Sequence, residues 1–189
     1  TLRLRSSNFG TPEEWLSKTK TDIVFAFFGY NESFGGDEGL PKFKADLTDF
    51  IRKTVSAKYN EKSSARLVLF SPIAHENLKD AALPDGTENN ARLKKYTAAM
   101  EEIAKAEQVP FVNLFEASAL LYSKASRPLT FNGVHLNKEG NRVLSEAIGQ
   151  LIAASTTVHD RTHLDKIISA VVDKNFHWFQ RYRTTDGYS

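Results

Sequence analysis

The segment that most constrains this chain is Asp22-Ile23-Val24-Phe25-Ala26-Phe27-Phe28, one charged residue followed by an unbroken apolar run that stops at Gly29. The run does not alternate, is too short for a membrane span, and is rich in β-branched and aromatic residues. Those properties predict a strand buried on both faces, the environment of a parallel sheet. Parallel strands need long crossovers, and the rest of the sequence supplies them. A glycine-rich polar loop, 30–39, leads to a helix expected from about Pro41 to Tyr59, with Pro41 suited to a first turn. Phe43, Leu47, Phe50, Ile51 and Val55 recur there at helical spacing.

Arg66–Phe70 is a second apolar run, closed by Ser71-Pro72, and a long loop over 75–89 carries the turn residues Pro84-Asp85-Gly86. Beyond it the pattern predicts a helix over 90–108, a strand over 109–114, a short helix over 116–124, a loop over 126–137 and a helix over 138–154. Strands alternating with helices imply βαβ units. The expected fold is therefore a three-layer α/β/α sandwich around a parallel sheet, flavodoxin-like in outline. Right-handed crossovers place the loops after the strands (29–31, 71–76 and Phe115) on one rim, where a ligand would sit.

At 189 residues the chain fits one domain with a real core. Composition, 41% hydrophobic and 25% charged, is that of an ordinary globular protein, and a net charge of +2 with both signs interspersed gives no electrostatic case for nucleic acid or an anionic membrane. There is no cysteine, which excludes a disulfide framework, a cysteine nucleophile and thiolate metal sites. No run approaches transmembrane length and no signal peptide opens the chain. Its start, Thr1-Leu2-Arg3-Leu4-Arg5, and its end, Asp186-Gly187-Tyr188-Ser189, read as cut from something longer.

The main domain is expected over 1–155, with a helical, aromatic and basic extension over 156–189. In that extension 156–160 is a polar break, Leu164–Val172 reads as an amphipathic helix, and Asn175–Arg183 is dense in aromatics and arginines. Such a tail can stack on bases or sugars; packing on the domain or a neighbour is the simpler reading. His159 and His163, four apart, could form half a metal site, but no third ligand accompanies them, so no metal is expected.

Two short motifs carry chemistry. Gly29-Tyr30-Asn31-Glu32 follows the first strand directly, and Asn132-Gly133-Val134-His135-Leu136-Asn137 sits in a loop just before a helix. With their order and context, and with His135-Leu136-Asn137-Lys138-Glu139-Gly140 entering an amphipathic helix, the chain resembles the SGNH (GDSL) hydrolases over roughly residues 21–151. Those proteins carry Gly-x-Asn after their third strand and Asp-x-x-His before their last helix. The wording Phe27 to Phe34 is similar to SGNH-like domains of multidomain planctomycete-type proteins.

The resemblance implies serine ester hydrolysis without metal or cofactor. Asn31 would donate to the tetrahedral oxyanion, a contact whose loss costs about 10²–10³ in turnover. His135 would take the serine proton and return it to the leaving alcohol. Asn132 would orient His135, while Gly29, Glu32 and His75 would face the substrate. A small acyl ester or acetylated carbohydrate is the implied substrate, and an exported or periplasmic location is favoured by the resemblance alone.

Two departures from the family pattern stand out. The Gly-Asp-Ser segment that supplies the nucleophile, and the second strand whose glycine completes the oxyanion hole, have no counterpart before Asp22. The fold is thus expected to be incomplete at its N-terminus, with the strand ending at Phe28 left as an unpaired edge, and further domains or an N-terminal segment are expected in the native protein. Asn132 stands where the family has Asp, a change that costs about 10⁴ in a serine protease triad. Either a backbone carbonyl orients His135, or a carboxylate such as Glu139 or Glu32 substitutes, or the module binds without catalysing. Ser33 and Ser71 lack the strand-to-helix elbow of an activated serine and are expected to be loop hydroxyls.

Overall fold

The computed structural model describes residues 10–152 and 161–182. The chain divides into two units, Thr1–Ile152 and Ala153–Ser189.

The first unit opens with α1, Pro12–Lys18, which no hydrophobic periodicity signals because none of its residues is buried. Its cause is local. Thr11 Oγ1 accepts from the Glu14 N–H at 3.2 Å, and the Glu14 carboxylate accepts from the Thr11 N–H at 2.6 Å, a reciprocal capping box with Pro12 at the first position. Next come β1 (Ile23–Phe27), a 3₁₀ turn over Glu32–Gly35 and α2 (Gly36–Ser56), which starts five residues before Pro41. β2 (Arg66–Phe70), α3 (Thr87–Ala106), β3 (Phe111–Val112), α4 (Leu114–Lys124) and α5 (Lys138–Ile152) complete the unit.

The three strands form a parallel sheet in the order β1-β2-β3, in register from Ile23 opposite Arg66 to Phe27 opposite Phe70, and with Leu69 opposite Phe111. Alternation along the strands sorts the core into two layers. Ala26, Leu67 and Leu69 meet Phe43, Leu47 and Ile51 of α2 and Tyr96, Met100 and Ile103 of α3 on one face. Phe70 and Val112 meet Leu114, Leu121, Leu144 and Ile148 of α4 and α5 on the other. Ile51, Leu69, Phe70, Leu93 and Met100 have no exposed surface; each contributes about 1.5–3 kcal/mol by burial. The three-layer α/β/α arrangement is that expected from the sequence.

β1 departs from expectation. Only its α2/α3 face is buried, and Ile23, Phe25 and Phe27 on the other face are 40, 51 and 56% exposed. The reason is position. α4 and α5 lie over β2 and β3, and β1 is a sheet edge, so its second face packs on Phe70 and is otherwise largely exposed. Phe27 stacks on Phe70 at 4.4 Å and Phe25 meets it edge-on at 5.3 Å. β3 is also shorter than the expected 109–114, because Asn113 already serves as the cap of α4, accepting from the Glu116 N–H.

In the second unit the described residues form one helix, α6, Arg161–Tyr182. The expected helix over 164–172 and the aromatic segment after it are continuous, since 173–175 contain neither glycine nor proline. Leu164, Ile167, Ile168, Val171, Val172, Phe176, Trp178 and Phe179 are all exposed. His159 lies outside the described residues.

Candidate functional site

The site is assembled from three loops at the C-terminal ends of the strands. The first is the turn after β1. Gly29 has φ +101°, and a Cβ there would press on Met100 Sδ and Pro72 Cδ, each at 3.1 Å, so only glycine fits. Its N–H donates to Glu32 Oε2 at 3.0 Å and its carbonyl accepts from the Ser33 N–H at 3.1 Å, which folds the chain sharply into the 3₁₀ turn. Asn31 sits at the apex of that turn, exposed, with an amide that caps nothing. A rigid turn thus presents a free side-chain donor.

The second loop follows β2. Ser71 and Pro72 are buried, and the chain continues to His75 and Glu76, 5 and 7% exposed. Ser71 Oγ accepts from the Phe115 N–H at 3.0 Å, and Ser33 Oγ donates to the Tyr30 carbonyl at 2.7 Å. Both hydroxyls are committed to backbone, in keeping with loop roles. His75 does not reach the rim: its ring lies beneath Gly86 and Gly133, where a Cβ at either position would collide with it. Its Nδ1 meets Asn89 Nδ2 at 3.0 Å, Arg92 donates to Asn89 Oδ1, and Asn90 grips the His75 backbone through both its N–H and its carbonyl.

The third loop, 129–137, is a tight hairpin. Thr130 pairs antiparallel with Leu136, the Phe131 N–H donates to the His135 carbonyl at 3.0 Å, and Gly133 takes the left-handed turn at φ +83°. Asn137 caps α5 by accepting from the Gly140 N–H at 2.9 Å. Asn132 Oδ1 accepts from the backbone N–H groups of Val134 (3.2 Å) and His135 (2.9 Å), which fixes the amide. His135 Nδ1 then lies 3.0 Å from Asn132 Nδ2 and 3.2 Å from Oδ1. The ring is exposed and stacks on Phe131, centroids 5.5 Å apart and 17° from parallel.

A cavity of about 420 Å³ joins these loops, lined by Tyr30, Asn31, Ser71, Ile73, Leu114 and Val134 among others. The Asn31 turn and the His135 hairpin therefore open on one space, although Val134 rather than His135 forms its wall. A larger cavity, about 600 Å³ between α1 and α2, reaches Phe28 and Glu32 but neither Asn31 nor the hairpin. Glu32 is engaged by the Gly29 N–H, and Glu139 pairs with Arg142 at 2.6 Å, so among the described residues the side-chain partner of His135 Nδ1 is Asn132. Tyr30, beside Asn31, has its hydroxyl pKa raised by burial, with Arg92 pulling the other way.

Sequence reasoning missed Glu76. Its carboxylate accepts from the Leu129 N–H at 3.0 and 3.1 Å, from the Thr130 N–H at 2.7 Å and from the Thr130 hydroxyl at 2.6 Å, while its own N–H donates to the Gly133 carbonyl at 2.9 Å. An acidic residue in a long loop gives no sign of such burial. Burial, and then the charge of Glu76, push the neighbouring Tyr122 hydroxyl above its usual range.

A parallel sheet that brings a Gly-x-Asn turn and a histidine hairpin to one cavity is the frame of the SGNH class of hydrolases. The chain belongs to the GDSL-like lipase/acylhydrolase family, whose model matches residues 4–143. Among solved structures it is similar to Axe2, an acetylxylan esterase from Geobacillus stearothermophilus, at TM-score 0.57 and 20% identity, covering 74% of this chain and 63% of that one. A variant of that enzyme, described as an acetyl-xylooligosaccharide esterase, matches at TM-score 0.58 and 19% identity, over 77% of this chain and 65% of the other. LAE5, an α/β hydrolase from the metagenome of Lake Arreo, Spain, matches at TM-score 0.56 and 18% identity, over 74 and 63%. The chain thus spans under two thirds of the length of these structures. No curated protein matches the sequence.

Proposed function

We propose that this domain, taken over residues 1–155, is the oxyanion and base half of a serine ester hydrolase. Asn31 donates to the oxyanion, His135 is the general base, and Asn132 orients His135. The nucleophile comes from a Gly-Asp-Ser segment outside this sequence. The observation that carries the reading is that a rigid glycine turn with a free amide and a histidine hairpin open on one cavity at the strand ends. A donor fixed in advance at the developing oxyanion needs no reorganisation during reaction, which is where such sites gain most of their rate. The substrate is a small acyl ester, an acetylated carbohydrate by analogy with the Axe2 structures. The exposed Phe131 beside His135 offers a flat face of the kind that sugar rings stack on.

Fluorophosphonate labelling of the longest native form, with peptide mapping, tests the reading. A serine adduct upstream of Thr1 that disappears in His135→Ala is the expected result; absence of any adduct on that form rejects it. A second reading, a non-catalytic module of the same fold that binds carbohydrate or a partner domain, is favoured by one observation: the Asn132 amide sets both a donor and an acceptor within reach of His135 Nδ1. It therefore does not impose the tautomer that a base requires.

A further inference from the structure

We propose that Glu76 is a positioning residue for His135, acting through the hairpin rather than on substrate. The inference rests on His135 being the base of the site and adds a residue to that machinery. Glu76 is buried, and no lysine, arginine or histidine forms an ion pair with it among the described residues; its carboxylate instead spends its acceptor capacity on one strand of the hairpin. Three donors converge on Oε2, from the Leu129 N–H, the Thr130 N–H and the Thr130 hydroxyl, and Oε1 shares the Leu129 N–H. The Thr130 hydroxyl oxygen accepts in turn from the Gly133 N–H at 3.1 Å, and the Gly133 carbonyl accepts from the Glu76 N–H at 2.9 Å. The loop of bonds is closed: Glu76 side chain to Thr130, Thr130 to Gly133, Gly133 back to the Glu76 backbone.

Asn132 lies between two of those fixed points, Thr130 and Gly133, and its carbonyl oxygen holds the His135 backbone. Its own placement is therefore set by the bracket beneath it. The next residue along, His75, is clasped by Asn89 and Asn90 at the start of α3. The dipeptide His75-Glu76 thus ties the hairpin to a helix of the main core, and a bound position of the imidazole is inherited from that helix. A carboxylate suits this task because it accepts on both oxygens and donates on neither. Glutamine keeps an oxygen at Oε2 for the Thr130 N–H, the Thr130 hydroxyl and the shared Leu129 N–H, and loses only the second Leu129 contact at Oε1, whereas alanine leaves all of them without a partner in a buried place.

The test is ¹⁵N NMR of the histidine rings in this chain, with His135 assigned through His135→Gln. It compares the native chain with Glu76→Ala, Glu76→Gln and Thr130→Val. In Glu76→Ala and Thr130→Val the His135 tautomer ratio should change by about threefold, the size expected for loss of one neutral hydrogen-bond preference. In Glu76→Gln the ratio should stay close to native, while His163 and His177 serve as internal controls. If Glu76→Ala does not fold, Thr130→Val, which nearly preserves shape, carries the test. A His135 ring indifferent to Thr130→Val and to Glu76→Ala, with thermal stability lowered, overturns the proposal and leaves Glu76 as a stabilising residue only. Glu76→Gln shifting as far as Glu76→Ala likewise overturns the hydrogen-bond account. No nucleophile is needed for this measurement, so it can fail while the labelling of an upstream serine succeeds, and the reverse.

Discussion

Asn132 sets what His135 can do. Its oxygen is held by two backbone N–H groups, so the amide cannot rotate freely, and His135 Nδ1 is left nearly equidistant from the amide nitrogen and oxygen. If the nitrogen donates, the ring proton sits on Nε2 and that atom cannot act as a base; if the oxygen accepts, Nε2 is free to take a proton. Aspartate offers only acceptors and removes the first choice. Asn132→Asp, in a form of the protein that carries the nucleophile, should therefore raise kcat by at least about 10², within the range lost when the triad Asp becomes Asn. It should also shift His135 towards the Nδ1–H tautomer in ¹⁵N spectra. An unchanged kcat with the tautomer shifted would mean that ring orientation does not limit the reaction. That Asn31 and His135 stand at turns beside the sheet was legible in the sequence, because each belongs to a short motif at a strand or helix boundary. Glu76 was not, because its role depends on a hairpin more than fifty residues away that no local pattern reveals.

Among the elements, those bounded by strong punctuation matched expectation and those bounded by tertiary contacts did not. β2 ends where Ser71-Pro72 ends it, and α5 starts where Asn137 caps it. α2 begins at Gly36 instead of Pro41, since the preceding 3₁₀ turn feeds directly into it. Two faces of β1 looked equally apolar in sequence, and only the order of strands decides which is covered. α2 and α3 are further joined by Arg52, which donates to both oxygens of Glu107 at 2.7 and 3.0 Å. Hydrogen bonding to Arg52 holds the Glu107 carboxyl below its ordinary value against the opposing effect of burial, with a lesser contribution from the Arg52 charge. Since the folded pKa is the lower one, this contact supports the fold fully above the unfolded carboxylate range and is lost as pH falls through the folded value. Arg52→Ala should thus lower the melting temperature slightly at neutral pH and not at all once Glu107 is protonated, a difference that melting curves at pH 7 and at a pH below the folded Glu107 value would detect. A deficit of equal size at both pH values would assign the effect to packing of the Arg52 stem.

At the scale of the whole molecule, each unit displays apolar surface that a stable monomer seldom leaves bare. In the first it is the edge strand β1 with Phe25 and Phe27, and in the second it is the run from Leu164 to Phe179 along α6. An apolar, unpaired edge is a template for further pairing. The chain by itself should associate as its concentration rises, and the double change Phe25→Thr with Phe27→Thr should weaken that association, as sedimentation velocity would show. A monomer at every concentration would mean that the β1 face is not adhesive.

The hairpin beneath His135 also inverts the usual relation between closeness to chemistry and tolerance of change. Phe131, 65% exposed and in ring contact with His135, has open space around it, whereas Gly133, two residues away and facing inward, has His75 pressed against the place where a side chain would begin. A saturation survey of this loop would therefore map its most intolerant positions onto the side turned from the cavity. The outward tip at Phe131 would vary without disturbing the hairpin's backbone, losing only the ring that His135 stacks on.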